Sequence, residues 1–215
     1  MSDSPLKTLA RVHTSTVHKR RVRVIVSFLA ALIPKGSRVL DVGSGDGRVA
    51  ELLMQARSDL TVEGVDVLVR PDSVIPTRAF DGLSLPFDDD EYDVVMMIDV
   101  LHHAQDQQEL LGECARVASS CIVLKDHYLQ GLGSKLTLRF MDWVGNRAHG
   151  VALPYHYLTP REWDALYERF GLTVEEVHTK LHLYPWPWSW LFDRSLHLVA
   201  RLAVAPSTAT ANAQS

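Results

Sequence analysis

Cysteine is almost missing from this chain. Cys114 and Cys121 are its only two thiols, too few for a disulfide framework or a four-thiolate metal site, and both lie in apolar stretches. A reducing, cytoplasmic setting is the expectation from that usage. Positive charge is also scarce: 22 Lys and Arg stand against 26 Asp and Glu, for a net charge of -4. The overall balance therefore gives no electrostatic reason to expect nucleic acid or anionic lipid, unless charge is clustered locally. No apolar run is long and charge-free enough to span a bilayer, and the polar start lacks the basic-then-apolar pattern of a secretory leader. No internal repeat is present either. What remains is a chain of 215 residues with ordinary globular composition. We expect one domain over 1–204 and a small, polar, disordered tail over 205–215.

The apolar pattern alternates between two periods. Val17, Arg21, Val24 and Phe28, with Val22, Ile25, Leu29 and Leu32, recur at spacings of three and four before Pro34 and Gly36, which predicts a helix over about 15–33 with Lys19, Arg20 and Arg23 on a solvated face. Strands are expected at 38–42, 61–67, 77–80, 92–100 and 121–125, and the last two candidates lie at 172–177 and 197–204. Pro71 and Pro76 in the short stretch between strands two and three argue against a helix there. Asp106 with Glu109 caps one helix, and Thr159, Pro160 and Glu162 cap another whose stripe is Trp163, Leu166 and Phe170 before Gly171. Strands alternating with helices specify an α/β fold, a doubly wound and mostly parallel seven-stranded sheet with an antiparallel last strand.

Chemistry concentrates at the end of the first strand. Val39-Leu-Asp-Val-Gly-Ser-Gly-Asp-Gly47 places alternate glycines at the strand-to-helix turn, where a ligand can approach the backbone. The spacing differs from Gly-x-Gly-x-x-Gly, and Asp41 sits at the strand end. A carboxylate there would repel a pyrophosphate and attract an ammonium or sulfonium. That reasoning points to S-adenosylmethionine rather than a dinucleotide. Asp66 ends the second strand, where a carboxylate can accept from ribose hydroxyls, and Asp81-Gly82 follows the third, where it could accept from an adenine amino group or simply close a turn.

With these motifs in hand, the chain resembles the small-molecule branch of the class I S-adenosylmethionine-dependent methyltransferases, methyltransferase type 11-like. The resemblance covers roughly 36–204 and rests on residues 39–47, Gly64-Val-Asp66, Asp81-Gly-Leu-Ser-Leu-Pro-Phe87 and Tyr92-Asp-Val-Val-Met-Met-Ile-Asp-Val-Leu-His-His103. It implies that Asp41, Gly43, Ser44, Gly45, Asp66, Val67, Asp81, Gly82, Leu83, Asp99 and Val100 hold the cofactor, with His102 and His103 beside the acceptor. Asp126-His127 leaves the fifth strand at the carboxyl edge of the sheet, which makes His127, beside Asp126, the first candidate for a general base. An insertion over about 126–158 should shape the acceptor pocket, with His149, Tyr155, His156 and Tyr157 lining it.

No spacing among Asp126, His127, His149 and His156 defines a metal site, and none is expected. Trp186, Trp188, Trp190 and Phe192 read as packing around a final hairpin, as a lid, or as a peripheral membrane or dimer patch. The expected reaction is methylation of an apolar or aromatic small molecule, oxygen being slightly favoured as the accepting atom. A nucleic-acid methyltransferase fits less well, because neither an Asn/Asp-Pro-Pro-aromatic motif nor a broad basic surface is present. A catalytically silent cofactor-binding scaffold is the other alternative.

Overall fold

Strand β1 (Arg38–Val42) lies in the middle of the sheet, flanked in parallel by β2 (Thr61–Asp66) and β4 (Tyr92–Ile98). The computed structural model describes residues 5–146 and 155–205. Outward from β1, β2 pairs with the short β3 (Thr77–Ala79), and β4 pairs with β5 (Ala118–His127), all in parallel. The final strand β7 (His197–Ala203) inserts antiparallel between β5 and β6 (Thr173–His178), giving seven strands in the order β3-β2-β1-β4-β5-β7-β6. The order reverses between β1 and β4. At such a switch point the loops leaving the two strands diverge and open a crevice at their carboxyl ends.

Helices cover both faces because β1, β4 and β5 alternate apolar side chains that are buried on either side. On one face α3 (Gln107–Val117) and α5 (Pro160–Arg169) pack Leu111, Val117, Trp163 and Leu166 against Leu40, Met97 and Ile122. On the other, α1 (Pro5–Leu32) and α2 (Arg48–Ala56) pack Ile25, Leu29 and Leu53 against Val39, Met96 and Val123. Cys114 and Cys121 fall in the opposite cores as free, buried thiols. Asp106 accepts from the N–H groups of Gln108 and Glu109 to start α3, and Thr159 with Glu162 forms a reciprocal capping box on α5. Each cap contributes about 1 kcal/mol.

Several boundaries differ from the sequence pattern. Helix α1 begins at Pro5, ahead of the apolar periodicity, and β5 begins at Ala118. Residues 67–76 form turns and bends, as the two prolines suggested. The insertion contains a helix, α4 (Ser134–Asn146), and the aromatic connection before β7 contains a short one, α6 (Trp188–Phe192), in place of a plain hairpin loop. Residues 206–215, the bulk of the expected tail, lie outside the described residues, as do 147–154 within the insertion. Among the described residues no helix is long and apolar enough to cross a membrane.

Candidate active site

The turn after β1 is held against β2: the N–H groups of Gly43 and Ser44 both donate to the Val65 carbonyl, at 2.8 and 3.1 Å. Gly43 has φ of 73°, and a Cβ there would meet the Val100 side chain at 2.6 Å, so the loops after β1 and β4 touch only because this side chain is missing. Gly45, with φ of 60°, is different: a Cβ would find nothing nearer than the Arg70 guanidinium at 3.9 Å. A side chain at Gly45 would therefore meet no clash, only the far end of Arg70. Beneath it Asp41 is buried, and burial, followed by the charge of Asp66, raises its carboxyl to about 8. A cationic group arriving here would gain a carboxylate.

Asp66 Oδ2 accepts from the Gly45 N–H at 2.8 Å and Oδ1 from the Leu68 N–H at 2.9 Å, which ties the two cofactor loops together. Each oxygen keeps a lone pair for a hydroxyl. Asp81 Oδ1 accepts from the Leu83 and Ser84 N–H groups, both at 2.8 Å, so Asp81-Gly82 is a turn in this structure with its other oxygen outside those bonds. Gly82 lies against Val67, whose side chain is exposed beside it. Ser44, also expected at the cofactor, has its Oγ 3.5 Å from Thr77 Oγ1 and against Gly64.

Beyond the turn lies a buried polar cluster at the carboxyl ends of β4 and β5. Asp99, with φ of 60°, directs its carboxylate to Arg21 of α1 and Lys125 of β5. Burial alone would raise its carboxyl, but Lys125 and then Arg21 hold it below the ordinary range. Asp99, expected among the cofactor residues, has its charge paired with two cations of the protein. Burial lowers the pKa of Lys125, with Asp99 opposing.

His102 Nδ1 donates to Asp126 Oδ1 at 2.7 Å, and its Nε2 lies 3.5 Å from Asp142 of α4. Burial disfavours the imidazolium, yet the Asp126 charge and hydrogen bond, then Asp142, outweigh it and raise His102 to about 10. Asp126, expected in the catalytic pair with His127, accepts from His102 and from the His127 N–H at 2.8 Å, and its Oδ1 lies 3.4 Å from His127 Nδ1. The His127 ring is buried, and burial together with the Lys125 charge pushes it well below 6.5. Its Nδ1 has no hydrogen-bond partner among the described residues.

The remaining acceptor candidates distribute unevenly. The His103 ring lies tilted at 46° against His102, 4.0 Å between centroids, and burial and the His102 charge lower its pKa. Tyr157 donates its hydroxyl to Asp142 and lies over His102 at 5.7 Å, while Tyr155 packs 6.3 Å from Tyr157 under the Arg139 guanidinium. His156 joins only through its backbone, donating to the His102 carbonyl at 3.3 Å with its side chain exposed. His149 lies outside the described residues.

Sequence reasoning missed Arg21, Lys125, Asp142 and His197. His197 pairs with His127 across β5 and β7 and places its ring 5.0 Å from that imidazole. A cation in an apolar helical stripe and a lysine inside a buried strand were the available signals for the first two. Two groups, Asp99-His102-His127 and His102-His103-Asp142, bring ligand-type atoms within 4.8 Å of one another. In the first, Arg21 and Lys125 already neutralise Asp99, which makes it a poor cage for a cation.

Residues 15–177 match a family described as a methyltransferase domain. The chain is 30% identical over 104 residues to 27-O-demethylrifamycin SV methyltransferase of Amycolatopsis mediterranei (strain S699), a match covering 41% of this chain and 38% of that protein. It is 33% identical over 94 residues to ubiquinone biosynthesis O-methyltransferase of Klebsiella pneumoniae (strain 342), covering 38% of each. The matched region thus spans 38% of the length of these curated relatives. Among solved structures, a chain of the complex between the Haloferax volcanii Trm112 methyltransferase activator and a methyltransferase superposes with a TM-score of 0.69 at 18% identity, over 96% of this chain and 100% of that one. At that identity the likeness is one of fold.

Proposed function

The chain belongs to the methyltransferase domain family, and from that footing we propose that it transfers the methyl group of S-adenosylmethionine to a hydroxyl on an apolar or aromatic small molecule. One observation carries this reading: the carboxyl ends of β1, β4 and β5 bring to one edge of the sheet a glycine turn backed by the buried Asp41 carboxyl and a buried cluster in which the His127 ring is held neutral and its Nδ1 makes no hydrogen bond. One curated relative is named an O-methyltransferase and the other for a 27-O-demethyl acceptor, which favours oxygen as the accepting atom.

The residues present fit the cofactor. The glycine turn at Gly43 and Gly45 would hold the amino-acid moiety, Asp41 would suit its ammonium, Asp66 keeps lone pairs for the ribose hydroxyls, and Asp81, Gly82, Leu83 and Val67 would hold the adenine. S-adenosylmethionine, once bound, supplies an electrophilic methyl group. Alignment and desolvation of the acceptor are then the protein's main task. Tyr155, Tyr157 and His103 enclose the acceptor, and His127 takes its hydroxyl proton. His102, fixed as a cation between Asp126 and Asp142, balances the surrounding carboxylates.

The test is calorimetry with S-adenosylhomocysteine, followed by incubation of the enzyme and S-adenosylmethionine with a cell extract to find metabolites that gain a methyl mass. Preference for NAD would overturn the cofactor assignment, and transfer confined to macromolecules would overturn the acceptor class.

A further inference from the structure

Two segments beside the site turn large apolar side chains to solvent. Leu132, Leu136 and Phe140 follow one another at four-residue spacing along α4 and the turn before it, with Leu132 94% and Leu136 74% exposed. Trp186 and Trp190, around α6, are 86% and 78% exposed. The two segments form one surface, because Phe140 stacks on Phe192 at 6.4 Å and the Arg194 guanidinium donates to the Leu132 carbonyl at 3.1 Å. A contiguous apolar face of this kind marks an interaction site.

Its charge is one-sided. Lys135, Arg139 and Arg194 are exposed around the apolar face, whereas the acids of the same segments point away from it: Asp142 is buried against Tyr157, and Asp193 accepts from the N–H groups of Leu183 and Tyr184. The net charge of -4 makes this local basic character a specific feature. A second copy of the chain would bring the same cations face to face in a two-fold contact, which disfavours self-association.

We infer that this face docks on an anionic lipid bilayer. Tryptophan side chains place an apolar ring and a polar N–H at the level of the headgroups, leucines reach below them, and a basic rim faces the lipid phosphates. Docking would bear directly on the site, because α4 carries Asp142 on its inner side and the Phe192 carbonyl of α6 accepts from His197 at 3.1 Å. The inference concerns the surface and is independent of the chemistry proposed above.

Flotation of the full chain with phosphatidylglycerol–phosphatidylcholine vesicles tests it, against vesicles of phosphatidylcholine alone, with tryptophan emission and quenching by brominated lipid read in parallel. The protein should float with the anionic vesicles, and its emission should shift to the blue and be quenched. Lys135→Glu with Arg139→Glu should weaken partitioning by roughly fivefold or more for each residue changed. Trp186→Ser with Trp190→Ser should abolish the quenched component. All four positions are exposed, and unchanged circular dichroism would show that the variants fold. Absence of flotation, flotation equal in both double variants and wild type, or a stable dimer in solution that Trp190→Ser dissociates would each overturn the inference.

Discussion

The rings of His102 and His127 meet edge-on, 4.7 Å between centroids and at 88°, yet the protein drives the two imidazoles to opposite protonation states. Both are buried, which favours the neutral form, but Asp126 and Asp142 reverse that effect only for His102. Separating the titration of neighbouring groups in this way assigns one as a fixed cation and leaves the other as a base.

His127→Ala should therefore lower methyl transfer by on the order of 10²–10⁴ while leaving S-adenosylhomocysteine affinity nearly unchanged. For an ionisable hydroxyl acceptor the deficit should shrink at high pH. Single-turnover rates across a pH series, with cofactor titrations of both proteins, decide the matter. Equal rates would make the histidine a bystander.

Stability should respond to His102 with a definite sign. A group raised from about 6.5 when unfolded to about 10 when folded contributes stability that is complete below the lower value and lost as pH rises to the upper one. Asp41, raised to about 8, acts in the same direction from about pH 4 upward, and above pH 8 the buried Cys114 and Cys121 thiols, raised by burial, and Lys125, lowered by burial, titrate as well, so the histidine is read from the difference between wild type and a His102 variant. Denaturant titrations from pH 7 to 10 should show stability falling more steeply with pH in wild type than in His102→Gln, the two slopes differing by up to about 1.4 kcal/mol per pH unit. A wild-type curve as flat as the variant's would refute the ion pair.

Asp41 predicts a proton released on cofactor binding. Its carboxyl is largely protonated at pH 7, and an ammonium group brought beside it stabilises the anion. Affinity for S-adenosylhomocysteine should rise with pH up to about 8, and calorimetry in buffers of different ionisation enthalpy should detect the proton. Asp41→Asn should remove both effects. Release persisting in that variant would assign the proton elsewhere.

Asp66→Ala should weaken S-adenosylhomocysteine binding by about 1.5–3 kcal/mol, the range for hydrogen bonds to a charged group. Because the carboxylate also holds the Gly45 and Leu68 N–H groups, the melting temperature should fall as well, and Asp66→Asn should recover part of both losses. Affinity unchanged in a folded Ala variant would remove Asp66 from the site.

These effects follow from features of unequal visibility in the sequence. The glycine turn, Asp41, Asp66 and the capping of α5 are signalled by residues adjacent in the chain, so local pattern was enough to place them. The α/β class of the sheet followed from the βα alternation, whereas the strand order, with β7 between β5 and β6, required the fold. Arg21 was less visible because it occupies the apolar register of α1, where it reads as one more core-facing position until Asp99 is found opposite. Asp142 depends on how α4 lies against the sheet, and His197 on the antiparallel register that sets it across from His127. Tertiary placement of that kind leaves little trace in spacing. The apolar face of α4 with the tryptophans of α6 was half legible: the aromatic run was plain, and its union with Leu132 and Leu136 required the fold.

The position of β7 has a consequence for biosynthesis. It is made after every other strand of the sheet, yet it belongs between β5 and β6, so on the ribosome β5 waits with one edge unpaired and β6 has no neighbour at all. His197 arrives with that strand. A nascent chain truncated before β7 could assemble the glycine turn and its carboxylates, but the imidazole cluster would remain open. Cofactor capture could precede the maturation of the acceptor side, and the methyl group would meet a closed pocket only after synthesis had passed Ala203.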